Sequence, residues 1–432
     1  MNFLIKNLTK FLFLFSIIIF FYVFIKSEIY SKGLLRNYYL DYYLLSISLF
    51  FFSLLTIFFS KKIKEYLIII IISLFTSLYL FEIYLTFGDQ IKNQKIYKKV
   101  SGNKWDVRTK NEIYDKLFKL DKNVSITIPL NFFLDSSSLI LPLGGTSYSK
   151  TINCNENGYY SIFDSDRYGF NNPDKEWDSK NIEYLLLGDS FTLGDCVNRP
   201  KDIGSVLRNL SNKSVLNLGY VGSGPLMQYA ALKEYSNSNI KKTIFIFYEG
   251  NDLRDLNKQK NNKILINYVN DLNFNQNLRM RQSEINKYLQ KITDSELINL
   301  KKINNKFKKF FSIIKLWNIR FSIKEKNYSQ PEPDNYLKTI LSLTKEFTKY
   351  NNSNLYFVYL PEYARYSQKY ENNSYNLVKK IVTDLKIELI DIHQEIFKKE
   401  KNPFDLFAIG HPHHYNEEGY KKVAEIIFNK TN

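Results

Sequence analysis

The amino-acid sequence predicts an α/β domain, a parallel sheet with helices on both faces, carried behind three transmembrane helices. Three observations predict it. The long uncharged apolar runs all fall before residue 90, five short and nearly continuous apolar runs follow residue 180, and helix-like stretches separate those five. Runs without polar alternation are expected of strands buried on both faces, and their alternation with helices argues for parallel connections. With 432 residues, 44% apolar and 24% charged, the chain is long enough for a membrane portion and a domain with its own core.

The membrane portion comes first. Residues 11–25, 44–60 and 67–81 carry no charge and are rich in Ile, Leu and Phe. Each is a little short of the ~20 residues of a helical span, and apolar or aromatic flanks extend the three toward 8–26, 42–60 and 66–87. The first run also has the basic start and the length of a signal peptide. Phe24-Ile25-Lys26-Ser27 offers no small-residue cleavage site, however, and two more runs follow. Residues 1–87 are therefore expected to be an uncleaved anchor of three spans. Lys6 and Lys10 precede the first span and Lys61, Lys62 and Lys64 fill the second loop, against Lys26, Lys32 and Arg36 in the first. That bias keeps the amino terminus and second loop in the cytoplasm, so an odd number of spans delivers residues 88–432 to the other side.

The net charge of +17 resides on lysines scattered among Asn and Ile, as in "KKINNKFKKF", without the clustered Arg and interleaved aromatics of a nucleic-acid groove. No nucleic-acid partner is expected. The two cysteines, Cys154 and Cys196, are too few for a four-cysteine zinc site or a disulfide scaffold. On the far side of the membrane they could form one disulfide, or they could remain two buried thiols.

Residues 88–178 are polar, with turn signals such as "PLGG", "NENG" and "FNNPD", and read as an irregular extracytoplasmic lead-in. The domain proper covers 179–432. Its strand-like runs are "IEYLLLG" (182–188), "SVLNLG" (214–219), "TIFIFYEG" (243–250), "NLYFVYLP" (354–361) and "IELIDI" (387–392), separated by helix-like stretches at 201–210, 226–235, 336–350 and 375–385. A last helix has Asn416 as N-cap, Glu417 and Glu418 in its first turn, and Tyr420, Val423, Ala424 and Ile427 on one face. Residues 257–335 break the rhythm as a Lys- and Asn-rich insertion of helical character. Its "FFSIIKLWNIRFSI" reads as a cap, a membrane-surface helix or, most simply, an apolar helix face packed on the domain.

In open parallel sheets ligands gather at the carboxyl ends of strands. After the first strand stands Gly188-Asp189-Ser190-Phe191, a serine where strand turns into helix; alone, this is also ordinary turn and N-cap chemistry. After the second comes Asn217-Leu218-Gly219-Tyr220-Val221-Gly222, whose glycines can expose N–H donors or simply make a tight turn. After the third comes Glu249-Gly250-Asn251-Asp252, where an amide can donate to an oxyanion or satisfy local backbone. Finally "GHPHHYNEEGY" gathers three of the four histidines, with His414 two residues before the helix cap.

Taken in order, these four segments resemble the conserved blocks of the SGNH (GDSL-type) hydrolase superfamily, over residues 180–430. The resemblance implies a flavodoxin-like, three-layer α/β/α SGNH-hydrolase domain. It also implies Ser190 as nucleophile, His414 as base, and an oxyanion hole of the Ser190 N–H, the Gly222 N–H and the Asn251 amide. His414 has the asparagine and glycine at the family's offsets, whereas His411 and His413 do not. Two positions depart from the pattern. His411 stands where the family has its aspartate, three residues before the catalytic histidine, and Glu249 stands where the third block has glycine. A carboxylate there fixes the tautomer of the base and stabilises the imidazolium. Asp405, Glu417 or a backbone carbonyl are the candidates to replace it, or a Ser190–His414 dyad works alone. Asp391 and His393 read as structural.

No cofactor is implied. A zinc reading of His411, His413 and His414 with His393 or a carboxylate lacks two histidines spaced on one rigid helix face, and no metal is expected. The resemblance implies a serine esterase or O-acyltransferase, hydrolase or transferase alike. It would act on acyl, most simply acetyl, esters of an extracytoplasmic glycan or lipid from a bacterial cytoplasmic membrane, its domain facing the periplasm or exterior. The alternative is a non-catalytic SGNH-like module that binds a glycan or an assembly partner.

Overall fold

A computed structural model describes residues 2–33, 36–135, 139–236, 239–302, 305–326, 331–366, 372–409 and 414–432. Its contacts divide the chain into two units. One holds the residues up to Phe87 together with Lys309–Phe321; the other holds Gly88–Lys308 and Ser322–Asn432.

The first unit contains α1 (Asn2–Phe24, continued by a wider turn, Ile25–Tyr30), α2 (Arg36–Leu55) and most of α3 (Lys61–Ser101). All three are long and apolar enough to cross a membrane. Each is longer than the run read from hydropathy, because a helix continues through charged flanks that hydropathy excludes. At 41 residues α3 extends ~60 Å, about twice the ~30 Å hydrocarbon thickness.

The second unit does not begin with an irregular lead-in. Residues 88–178 contain α4 (Lys110–Leu120), whose N-cap Thr109 and Glu112 form a reciprocal capping box, and a small sheet. In that sheet β1 (Val124–Ile126) runs parallel to β2 (Lys150–Ile152), which pairs antiparallel with β3 (Ile162–Asp164). Strands of three residues are too short to leave a period, and for that reason they were illegible. Ile113, Val124, Ile126, Leu130, Phe133 and Ile152 join the same apolar core as the main sheet.

The main sheet has five parallel strands in the order β5-β4-β6-β7-β8: β4 (Asn181–Leu187), β5 (Val215–Asn217), β6 (Asn239–Tyr248), β7 (Asn354–Leu360) and β8 (Glu388–Asp391). Alternate residues serve opposite faces. Leu185, Leu187, Phe245 and Phe247 enter one core, and Tyr184, Leu186, Ile244 and Ile246 the other, which explains the uninterrupted apolar runs. Each such side chain stabilises the fold by about 1.5–3 kcal/mol before the entropy of ordering is set against it.

Helices cover both faces. After β4 come α5 (Ser190–Leu193) and α6 (Ile203–Ser211), and after β5 comes α7 (Pro225–Tyr235). Between β6 and β7 lie α8 (Asp252–Gln259), α9 (Lys263–Asn270), α10 (Gln282–Lys302), α11 (Asn305–Ile314) and α12 (Trp317–Lys326), the last four within the insertion. Then follow α13 (Asn335–Tyr350), α14 (Ser374–Asp384), the short α15 (Ile392–Glu395) and α16 (Glu417–Thr431). Leu337, Ile340 and Leu341 of α13 and Val378 and Val382 of α14 pack on the first face, with α7. Ile203 and Leu207 of α6 pack on the second, with Tyr420, Val423, Ala424 and Ile427 of α16. The architecture is a three-layer α/β/α sandwich.

Strand order reverses between β4 and β6, since β5 lies on one side of β4 and the later strands on the other. In open parallel sheets such a reversal is where ligands gather, which directs attention to the carboxyl ends of β4 and β6.

Candidate active site

Ser190 is the first residue of α5, directly beyond β4. Asp189 caps this helix, its Oδ1 accepting from the Phe191 N–H at 2.9 Å. Gly188 has no room for a side chain, because a Cβ there would collide with Thr192. The turn is therefore tight, and the Ser190 N–H, at the start of a helix, has no intrahelical acceptor.

His414 arrives from the opposite end of the domain. Its carbonyl accepts from the Ala408 N–H at 2.9 Å, and Phe407 pairs with Tyr415 as an isolated bridge. Two residues later Asn416 caps α16, its Oδ1 accepting from the Gly419 N–H at 2.9 Å. So fixed, the imidazole Nε2 lies 3.0 Å from Ser190 Oγ. The Ser190–His414 pair is within proton-transfer reach.

The other ring nitrogen has a carboxylate partner that the sequence did not point to. His414 Nδ1 is 2.9 Å from Glu156 Oε2, and both side chains are largely buried. Neither proposed replacement reaches the ring. Asp405 Oδ1 accepts from Asn402, while Glu417 accepts from the Tyr159 hydroxyl and lies 3.6 Å from Lys201. Both lie within nine residues of His414 in the sequence, whereas Glu156 sits in the loop between β2 and β3.

That loop is tied to the site at several points. Cys154 and Cys196 are disulfide-bonded. Asn157 Nδ2 donates to the Cys196 carbonyl at 3.1 Å, and Asn153 Nδ2 donates to Asp195 Oδ1. Asp195 itself brings a second carboxylate, its Oδ2 3.4 Å from His414 Nε2. Burial disfavours the charged imidazolium, but Glu156, Asp195 and Asp189 outweigh it and push His414 up to about 9. Burial also raises Asp195, and it raises Asp189 to about 7. Asp252 is raised too, by burial and then by the charge of Asp189.

The remaining sequence-derived residues sit on the strands flanking β4. Gly222, in the loop after β5, has φ +74°, and a Cβ there would lie 3.1 Å from the Leu130 nitrogen and from Asn131 Oδ1. The loop is set by Asn217 Oδ1 accepting from the Gly219 N–H at 2.8 Å and by Leu130 N–H donating to the Val221 carbonyl at 2.8 Å. Asn251 follows β6; its amide donates to Asp255 Oδ2 at 3.0 Å and also hydrogen-bonds the buried Asp189 carboxyl. Ser190, Gly222 and Asn251 thus stand at the ends of three adjacent strands.

Glu249 has a structural explanation. It is buried, pairs with Arg365, and accepts from the Tyr359 hydroxyl at 3.0 Å, the Glu362 N–H at 3.0 Å and Asn372 at 2.7 Å. A glycine could not hold the segment after β7 in this way. Asp391 pairs with Lys379 at 2.7 Å, and His393 Nδ1 is 2.9 Å from the Tyr366 hydroxyl, consistent with structural roles for both. His411 and His413, and with them the zinc reading, lie outside the described residues.

Serine, imidazole and carboxylate joined by contacts of 3.0 and 2.9 Å are groups that can carry out acyl transfer. No protein-family profile matches the chain, and neither does any curated protein. Similar solved structures include a lipolytic protein of the G-D-S-L family from Desulfitobacterium hafniense, at 13% identity and a TM-score of 0.31, over 58% of this chain and 99% of that one. A lipolytic G-D-S-L protein from Veillonella parvula is similar at 12% identity and a TM-score of 0.30, over 57% and 97% of the two chains. An acetyl xylan esterase is similar at 11% and 0.32, over 58% and 100%.

Proposed function

We propose that this protein is a membrane-anchored serine esterase or O-acyltransferase of the SGNH type, working through an acyl-enzyme on Ser190. The observation that carries this reading is the line Ser190 Oγ, His414 and Glu156, with contacts of 3.0 and 2.9 Å. His414 Nε2 takes the Ser190 proton as Oγ attacks the ester carbonyl. The oxyanion forms toward the Ser190 and Gly222 N–H groups and the Asn251 amide. As the tetrahedral intermediate collapses, the C–O bond to the leaving alcohol breaks and His414 returns the proton to it. A water or an acceptor hydroxyl then repeats the sequence in reverse, which frees Ser190.

Hydrolase and transferase share all of these groups. The substrate class we infer, an O-acyl and most simply O-acetyl group on an extracytoplasmic glycan or lipid, is what the SGNH resemblance implies, and the extracytoplasmic side is supported by three spans with the lysine bias on the opposite side. A binding module without chemistry would not need a buried carboxylate aligned on the imidazole, and the contact of Glu156 favours the enzyme.

The test is an acyl-balance assay on the full chain in detergent, with a short-chain acyl ester and a glycan acceptor. Released carboxylic acid alone identifies a hydrolase; acyl groups on the acceptor identify a transferase. Neither product from folded protein would refute the enzymatic reading.

A further inference from the structure

Most of the insertion segment "FFSIIKLWNIRFSI" is grouped with the apolar helices: Lys309–Phe321 belongs to the unit of α1–α3. Between α11 and α12 the chain breaks at Lys315 and Leu316, with Leu316 at φ +48°. Such a break leaves unpaired carbonyls on one side and unpaired N–H groups on the other. One face of α3 satisfies both. The Tyr79 hydroxyl donates to the Ile314 carbonyl at 3.2 Å, at the end of α11. Glu82, fully buried, caps the start of α12: Oε1 accepts from the Asn318 N–H at 2.9 Å and from its side chain at 2.8 Å, and Oε2 accepts from the Ile319 N–H at 3.0 Å. Thr86 Oγ1 accepts from the same Asn318 amide at 2.9 Å. From α2, the Tyr42 hydroxyl accepts from Arg320 Nε at 2.8 Å, and the guanidinium lies over the Tyr42 ring.

Polar groups are therefore satisfied inward, and the apolar side chains point out. Phe310, Phe311, Ile314, Trp317 and Phe321 are each roughly half exposed. That is the reverse of a water-facing helix pair and the pattern of a segment lying in a bilayer interface. The depth agrees. Tyr79 and Glu82 stand where the uncharged run of α3 ends, and Tyr42 stands near the start of α2. Because consecutive spans reverse direction, both levels face the same side of the membrane.

We infer that residues 310–321 form a membrane-interfacial helix break, seated on α3 through Glu82 and buried on its outer face in the lipid of the bilayer that α1–α3 cross. The inference rests on the reading of residues 1–87 as a membrane anchor. The chain then crosses between its two units at three places rather than one. The occupant of the apolar face is lipid, since that face continues the apolar surface of the spans.

The experiment reconstitutes the full chain in vesicles whose acyl chains are brominated at either a shallow or a deep position. Trp317 emission is taken as the difference between the wild type and Trp317→Phe, and Ile70→Trp in the Trp317→Phe background reports mid-span depth. Shallow bromine should remove about half of the Trp317 emission and deep bromine less, as expected of a helix ~5–10 Å into the boundary. A quenched Ile70→Trp with an unquenched, iodide-accessible Trp317 would overturn the inference and leave the anchor standing. Shielding of Trp317 from both bromine and iodide would assign the face to a second copy, again overturning it. If neither tryptophan is quenched, the anchor reading fails and takes this inference with it.

Discussion

Glu156 Oε2 lies 2.9 Å from His414 Nδ1, although 258 residues separate the two in the chain. The carboxylate that meets the proposed base therefore comes from the loop between β2 and β3, not from the loop that carries His414. Replacing it with Gln keeps the shape and removes the charge, and it allows the ring to settle in the wrong tautomer. Glu156→Gln should lower kcat by about 10²–10⁴ with KM little changed. Steady-state kinetics on a chromogenic ester read this directly, and an unchanged kcat would show that Ser190 and His414 work as a dyad.

The pH dependence follows from the imidazole being held up to about 9. The base must be neutral, so kcat/KM should climb with pH and level off only above about 9. Stability runs the other way. With a folded value above the ordinary 6.5, the stabilisation that His414 contributes is complete below 6.5 and is lost as pH rises through about 9. Thermal melts and rate profiles over one pH series should therefore diverge. In Glu156→Gln the rising limb should move to lower pH.

Asp195 raises the same imidazole from the Nε2 side, 3.4 Å away. It favours the protonated form, which cannot accept the Ser190 proton. Asp195→Asn should thus shift the rate profile to lower pH and retain the plateau activity, with fluorophosphonate reactivity at neutral pH increased. A uniform loss at every pH would instead give Asp195 a positioning role through Asn153.

The Cys154–Cys196 disulfide fastens the loop of Glu156 two residues from the acid and one residue from Asp195. Cross-linking across 42 positions is expected to stabilise the fold by roughly 2–4 kcal/mol. Reduction, or Cys154→Ser, should lower the melting temperature and also pull the rising limb of the rate profile toward the ordinary histidine value. A lower melting temperature with an unmoved limb would limit the bond to stability.

Gly222 is tested by Gly222→Ala. Its left-handed φ of +74° and the 3.1 Å approach to Leu130 and Asn131 leave little space for a methyl group. The strain should cost about 1–3 kcal/mol, and displacement of the N–H should reduce kcat by about 10²–10³. Stopped-flow acylation and thermal melting separate the two effects.

The main strands were legible because both faces of the sheet are buried, so the stretches 184–187, 244–248 and 356–360 are apolar throughout. The cap of α16 was legible because Asn416, Glu417 and Glu418 do their work locally. What could not be read were relations between distant parts of the chain. Nothing local marks Glu156 as the partner of His414, and only the pair of cysteines hinted that residues near 154 and 196 meet. The sheet of β1, β2 and β3 was invisible because three residues show no alternation. The amphipathic stretch at 310–323 was recognised as apolar, but its hydrogen bonds to Tyr79 and Glu82 emerge only in three dimensions.

The central claim is that Ser190 is a nucleophile activated by His414. A fluorophosphonate probe applied to the full chain, followed by peptide mapping, tests it most directly. The account predicts one adduct, on Ser190, absent in Ser190→Ala and slowed by at least about 10³ in His414→Ala. An adduct on another residue, or equal labelling of the His414→Ala variant, would contradict it.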